Sequence, residues 1–184
     1  MKTSLISTAG TDRCLGRLVA AVREVTDRRL GWAETADLVA GRLRLHLPGP
    51  DILTAEQRYG DPLRYQCHLL HAEPDGSFSV VALVWRPGQA TPIHDHVAWC
   101  VFGVVEGTET EHRYVLNADG WLEEAGTTRN LTGDVAGLAP PGDIHLVRND
   151  GATTAVSLHV YGTDVSRLGS SVRRVYDLPV VARE

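Results

Sequence analysis

The feature that most restricts the fold is a cadence. From Tyr65 to Tyr161 the chain is cut into short runs rich in Val, Leu, Tyr and Trp. They are Tyr65 to His71, Phe78 to Trp85, Cys100 to Glu106, Thr108 to Leu116, Trp121 to Ala125, Leu146 to Asn149 and Ala155 to Tyr161. Between them stand Pro74-Asp75-Gly76, Pro87-Gly88, Asn117-Ala118-Asp119-Gly120, Pro140-Pro141-Gly142-Asp143 and Asn149-Asp150-Gly151. Short strands with a turn signal about every eight to twelve residues argue an all-β barrel or sandwich. Arg113 to Leu116 and Trp121 to Glu123, on either side of Asn117 to Gly120, read as a hairpin.

Two helices precede this β region. Leu15, Leu18, Val19, Val22 and Val25 recur at three-and-four spacing, which predicts an amphipathic helix with Thr11 or Asp12 as N-cap. A second helical segment is expected from about Ala33 to His46, with Leu38, Val39, Leu43 and Leu45 apolar and Leu47-Pro48-Gly49-Pro50 ending it. The 184 residues contain no repeat and no obvious linker. One domain over 1–184 is expected, with a helical segment at about 11–46 and a β-barrel at about 65–162. The pattern of Val172 to Glu184 is mixed and assigns no element.

Charge and composition exclude several partners. The net charge is −5 with no dense Lys/Arg cluster, so nucleic acid is not expected. No run of 18 or more apolar residues exists, so no membrane partner is expected. Met1 to Gly10 lacks the apolar core of a secretory signal. The three cysteines, Cys14, Cys67 and Cys100, are widely spaced and odd in number. They form no disulfide framework, and a reducing cytoplasm is the expected setting.

Chemistry concentrates at Thr91-Pro92-Ile93-His94-Asp95-His96. On a strand, side chains two apart share a face, so His94 and His96 point one way and Asp95 the other. That is half of a metal site. The alternative is a pair of surface turn histidines. Later, Ser157, His159 and Tyr161 share one face of Ser157-Leu158-His159-Val160-Tyr161. They can form a chain of hydrogen bonds from hydroxyl to imidazole to phenol. The alternative there is a polar strand face turned to solvent. His46 and His112 have no such company and read as ordinary polar residues.

The spacing Gly88-x5-His94-x-His96-x3-Cys100-x6-Gly107 resembles the first motif of the cupin superfamily, with Cys100 where that family usually has Glu. Gly133-x6-Pro140-x-Gly142-x2-His145-x3-Asn149 resembles the second motif, with one extra residue after the first Gly. The resemblance implies a double-stranded β-helix, a small jelly-roll barrel, with the metal inside its mouth. It also implies His94, His96 and His145 as ligands. Without the motif Glu the site is either three-His or His3Cys. Imidazole suits Fe, Zn, Cu and Ni alike, so the ligand set does not name the metal.

A three-His cupin with Cys100 in place of Glu and Ser157-x-His159-x-Tyr161 on a late strand is similar to the thiol dioxygenases, the cysteine dioxygenase family and its bacterial 3-mercaptopropionate relatives. Local stretches share the likeness: Tyr65-x-x-x-Leu69-Leu70, Ser79-Val80-Val81, Trp85-x-Pro87-Gly88-Gln89 and His94-Asp95-His96-x-x-Trp99. The resemblance implies non-haem Fe(II), O2 and a small thiol that leaves as its sulfinic acid. It implies Ser157, His159 and Tyr161 as the triad beside the metal, and a Cys100–Tyr161 thioether of the kind mammalian members form. It places Tyr65 and Cys67 at the substrate. Where relatives carry an Arg or Gln to grip a carboxylate, this chain has Cys67. Arg64, Gln66, His68, Arg86, Arg148 and Arg167 are other candidates for that grip, and each arginine also reads as a solvated surface charge. L-Cysteine, 3-mercaptopropionate and other small thiols stay open. So do a metal-binding cupin sensor and a three-His dioxygenase acting on a non-thiol substrate.

Overall fold

The computed structural model describes residues 8–181. Helix α1 spans Thr8–Thr26 and α2 spans Trp32–His46. The first begins upstream of its expected cap, so Thr11 and Asp12 lie inside the helix. A 3-10 turn at Pro50–Ile52 and the short α3, Ala55–Tyr59, lead into the strands. Thr54 caps α3 through a reciprocal pair of bonds with Gln57. The first seven residues, which carry most of the stretch read as lacking a secretory signal, lie outside the described part.

Eleven strands follow among the described residues: β1 Gln66–Ala72, β2 Ser79–Trp85, β3 His94–His96, β4 Cys100–Glu106, β5 Thr108–Leu116, β6 Leu122–Leu131, β7 Val135–Leu138, β8 His145–Arg148, β9 Ala155–Tyr161, β10 Val172–Val175 and β11 Val180–Val181. The short α4, Val165–Leu168, lies between β9 and β10. The strands form two sheets, in the orders β1-β2-β9-β4-β7 and β10-β3-β8-β5-β6-β11. All pairings are antiparallel except β11 with β6. This is a mostly β jelly-roll barrel preceded by two helices, the expected architecture. The hairpin at Asn117 to Gly120 forms, with Leu116 paired to Leu122. β6 runs past Ala125 to Leu131. The expected run from Trp121 to Ala125 was short because Thr127 to Asn130 are polar, as an outward-facing strand permits. The tail without an assignment supplies β10 and β11; its last three residues lie outside the described part.

The helices explain why β2 and β9 are buried along their whole length. Val80, Ala82, Val84, Val156, Leu158 and Val160 face outward from the barrel and join Leu18, Val22, Val39 and Leu43 of the helices in one core. Strands covered on both faces read as near-continuous apolar runs, as Ser79-Val-Val-Ala-Leu-Val-Trp85 does. Leu18, Leu43 and Leu158 are fully removed from water. Truncating any one of them to Ala costs about 2–5 kcal/mol. Leu45, expected on the apolar face of α2, is 73% exposed. It lies beyond the stripe set by Ala36, Val39, Ala40 and Leu43. The close seat of α2 depends on two glycines. A Cβ on Gly103 would stand 2.8 Å from Leu47 Cδ1, and one on Gly137 would stand 3.3 Å from the Ala36 carbonyl oxygen. Among the described residues, no helix is long and apolar enough to cross a membrane.

The other face of β2 and β9 looks into the barrel. Val81, Leu83 and Trp85 of β2 join Cys100, Val147, Ala155 and Tyr161 there.

Candidate metal centre

His94 and His96 stand on β3, and His145 opens β8 as the direct cross-strand partner of His94. The short β3 sits between β10 and β8, so its inward face meets the neighbouring strand's histidine. One potential ligand atom from each of the three imidazoles lies within 4.8 Å of the others, and all three residues are buried. Asp95 turns the other way, as alternation requires. Its Oδ2 accepts from Arg174 Nε at 2.9 Å and from the Tyr176 hydroxyl at 3.0 Å.

Each of these imidazoles is held from behind. His94 Nδ1 donates to the Pro92 carbonyl at 3.0 Å. His96 Nδ1 donates to Asp143 Oδ2 at 3.0 Å, and the same oxygen accepts the His96 backbone N–H at 2.9 Å. His145 Nδ1 donates to Glu111 Oε1 at 2.8 Å. A carbonyl and carboxylates only accept, so each ring carries its proton on Nδ1 and keeps a lone pair on Nε2. Burial first, then His145 and His96 nearby, push the pKa of His94 down to about 3. Burial also lowers His145, against the opposing pull of Glu111. Burial works to raise Asp143, but its bonds from His96 outweigh that and hold it below the usual carboxylate range. Imidazoles that turn Nε2 to one point, with a carbonyl or carboxylate behind each Nδ1, are the donor chemistry a divalent transition metal requires.

Asp143 and Glu111 were not singled out from the sequence. Asp143 is two residues before His145, at the end of the turn Pro140-Pro141-Gly142-Asp143, and could have been read as a positioning acid. Glu111 is harder. It lies in the alternating run Thr108-Glu-Thr-Glu-His112, where the acids face inward and the threonines do not. Glu109 on the same face is fully buried, and neither of its carboxyl oxygens has a partner. Burial raises its pKa to about 7, with Ser157 and Trp85 as its polar neighbours.

Ser157, His159 and Tyr161 come from β9 and all face the barrel interior, which rules out the solvent-facing alternative. Ser157 Oγ and His159 Nε2 are 2.9 Å apart, and the Tyr161 hydroxyl is 3.3 Å from His159 Nδ1. Trp85 Nε1 donates to Ser157 Oγ at 3.1 Å. Burial first, then the three facing histidines, push the pKa of His159 down to about 3. Burial raises Tyr161 well above its ordinary value, with Cys100 adding to it and Ser171 opposing. Cys100 is the cross-strand partner of Tyr161, and its Sγ lies 3.9 Å from His159 Nδ1. Its thiol is likewise raised well above the ordinary range by burial and then by Glu111 and Asp143.

A small internal space of about 20 Å³ separates the two walls, bounded by the three imidazoles on one side and by His159 and Tyr161 on the other. A larger cavity of about 370 Å³ shares His94 and Tyr161 with it and includes Tyr65 and Cys67 in its wall. Tyr65 stacks on Trp85 at 4.5 Å between ring centroids. The other substrate candidates do not enter this cavity's lining. Arg148 pairs with Asp150, Arg167 pairs with Asp164, and Arg86 lies over the Tyr59 ring. Arg64, Gln66 and His68 line a separate recess. His112 bonds to Glu124 and Thr127 on the outer surface, as an ordinary polar residue does.

A jelly-roll barrel with three converging imidazoles on its inner wall defines a cupin-type metal protein. The chain belongs to the cysteine dioxygenase type I family, whose profile matches residues 55–170. Family and site together point to a metal-dependent dioxygenase, an oxidoreductase acting on a small molecule with O2. Among solved structures, the chain is similar to TT1209 from Thermus thermophilus, at 22% identity and a TM-score of 0.46, covering 60% of this chain and 96% of that one. It is also similar to an uncharacterized conserved protein with a double-stranded β-helix domain from Klebsiella pneumoniae. That match has 19% identity and a TM-score of 0.45, covering 61% and 90% of the two chains. A Cupin 2 conserved barrel domain protein from Salinispora arenicola matches at 20% identity and a TM-score of 0.42, covering 57% and 80%.

Proposed function

We propose that this chain is a non-haem Fe(II) thiol dioxygenase that converts a small thiol and O2 to the sulfinic acid. The observation that carries the reading is the pairing of walls. Three imidazoles, each bonded from behind through Nδ1, face a buried tyrosine that is itself held by an imidazole and a serine. His94, His96 and His145 would hold the iron. Iron in this site supplies the one-electron chemistry that lets a thiol react with O2. The overall change, R–SH + O2 → R–SO2H, balances without a further reductant: both oxygen atoms go to sulfur, which loses the four electrons that O2 gains.

The chain's own groups orient and protect. Ser157 donates to His159 Nε2, and His159 Nδ1–H then donates to the Tyr161 oxygen. That direction leaves the Tyr161 proton free to point at the reacting sulfur or oxygen. The high pKa of Tyr161 keeps this proton in place through the working pH range. Leu83, Val147 and Trp85 close the space around the reacting atoms and exclude bulk water. Tyr65 and Cys67 line the path by which the thiol enters.

The reading includes a thioether between Cys100 and Tyr161, since these residues face one another across β4 and β9. Its formation would break the Cys100 S–H and one Tyr161 ring C–H bond and form a C–S bond, with the two electrons and two protons reducing O2 to hydrogen peroxide. Intact mass before and after aerobic turnover is expected to fall by two hydrogens in part of the population; an unchanged mass would discard the crosslink. The helices and both barrel strands share one apolar core, which supports taking the whole chain as one domain. Free thiols at Cys14, Cys67 and Cys100 support a cytoplasmic setting. The deciding experiment is anaerobic loading with Fe(II), followed by oxygen uptake across a panel of thiols. Uptake with a sulfinate product is expected for at least one of them. Uptake by none would end the thiol reading and return the site to sensing or to a non-thiol substrate.

A further inference from the structure

We infer that the preferred substrate is a small uncharged thiol, with a hydroxyl or similar neutral polar group on a short aliphatic chain. This rests on the thiol dioxygenase reading and specifies the tail that the cavity accepts. The cavity runs outward from His94 and Tyr161, and its volume of about 370 Å³ leaves room for a few atoms beyond the sulfur. Its wall is of two kinds. Val81, Leu83 and Val165 offer aliphatic surface, and Ser166, Ser170 and Ser171 offer hydroxyls. None of the described lining residues is Lys, Arg, Asp or Glu.

Two arginines near this wall are paired elsewhere. Arg167 pairs with Asp164, and Arg174 pairs with Asp95. Arg64 lines the neighbouring recess, which shares Tyr65 and Cys67 with the cavity. On the metal side, the nearest acids are Asp143 and Glu111, both buried behind imidazoles. A carboxylate on the substrate would therefore leave water for a wall whose side chains offer it no cation. An ammonium fares no better, because none of the described residues lining the cavity is an acid. Ser166 Oγ already donates to Asp164 and Ser170 Oγ already accepts from the Val172 N–H, so a substrate hydroxyl can donate to the first and accept from the second, while the methylenes meet the aliphatic wall.

Three thiols of equal chain length separate the cases: 3-mercaptopropan-1-ol, 3-mercaptopropionate and 3-aminopropane-1-thiol. The Fe(II)-loaded protein is titrated with each anaerobically by calorimetry, then assayed for oxygen uptake and sulfinate. The alcohol is expected to bind more tightly and to show a kcat/KM higher by about tenfold or more, the ratio about 1.4 kcal/mol of unpaired-charge penalty produces. Cys67→Arg, which adds a guanidinium to the exposed edge of the wall, should move the preference at least about tenfold toward the carboxylate. A wild-type preference for the acid or the amine, with sulfinate still formed, overturns the inference and leaves the dioxygenase reading standing. A folded Cys67→Arg protein with unaltered preference also overturns it, because the tail would then lie elsewhere. If Cys67→Arg does not fold, the wild-type series decides alone. If none of the three thiols binds or consumes oxygen, the inference falls, and the wider thiol panel that includes L-cysteine decides the dioxygenase reading separately.

Discussion

Three imidazoles face a fourth inside the barrel, and the two sides differ in what stands behind them. His94, His96 and His145 each give an Nδ1 proton to an oxygen that can only accept. His159 instead lies between two hydroxyls, Ser157 and Tyr161, and each of these can donate or accept. The difference is not one of charge, since burial pushes His94 and His159 alike down to about 3. It is one of direction. On one wall the tautomer is fixed and three lone pairs are presented permanently. On the other, the same ring can pass its hydrogen bonds either way at no cost in net charge. A fixed wall suits holding a metal, and a reversible wall suits placing a proton.

The largest effect should come from breaking the fixed wall. His145→Ala removes one lone pair of three, and the protein is expected to purify without metal after Fe(II) loading. Elemental analysis showing a full complement would refute the ligand assignment. Breaking the reversible wall should do something different. Tyr161→Phe keeps the ring and removes only the hydroxyl, so metal content should match wild type. Turnover should drop on the order of 10²-fold, as when one preorganised donor is lost. Wild-type rates in that protein would sink the role given to Tyr161.

The two walls were not equally legible in the sequence. His94 and His96 could be paired by alternation, and His145 followed from the second motif, because ligands carry spacing. Ser157, His159 and Tyr161 were legible as one face, but whether that face met solvent or the interior depended on α1 and α2. Those helices bury the opposite face of β9, and nothing local to β9 announces it. The acids behind the imidazoles were not legible. Glu109 and Glu111 occupy a strand whose inward face carries the charges, the reverse of the usual pattern. Only the approach of β8 to β5 explains it, since Glu111 there meets His145. The β10 strand was hidden for a similar reason: it is a short edge strand whose pairing partner is the three-residue β3.

Glu109 sharpens the contrast, because it is the acid on the reversible side and has no bonded partner. Its folded pKa of about 7 stands above the ordinary 4.5. Between those values the folded chain binds more protons than the unfolded one. Stability from this group is therefore present below about pH 4.5 and is lost as pH rises through 7. Between pH 5 and pH 8 the metal-free wild type should lose roughly 2 kcal/mol relative to Glu109→Gln. Denaturant unfolding of both proteins at the two pH values measures this. Parallel pH profiles would remove Glu109 as a buried, strained acid.

The smallest effect expected tests how fixed the fixed wall is. Asp143 Oδ2 accepts both the Nδ1 proton and the backbone N–H of His96. Asp143→Asn preserves the shape and one acceptor oxygen, so the barrel should fold with unchanged metal-free stability apart from the lost charge. The amide, however, can also turn its NH2 group toward His96, which would ask Nδ1 to accept and move the proton to Nε2. A ring in that tautomer offers the metal no lone pair. The amide therefore gives His96 a choice of the kind His159 already has. Metal affinity should fall by about tenfold, the low end of the range for partners behind a ligand. Competition with a chelator of known affinity reads this directly. An undiminished affinity would mean that the backbone alone orients His96, and the distinction between the two walls would then rest on Glu111 and the Pro92 carbonyl.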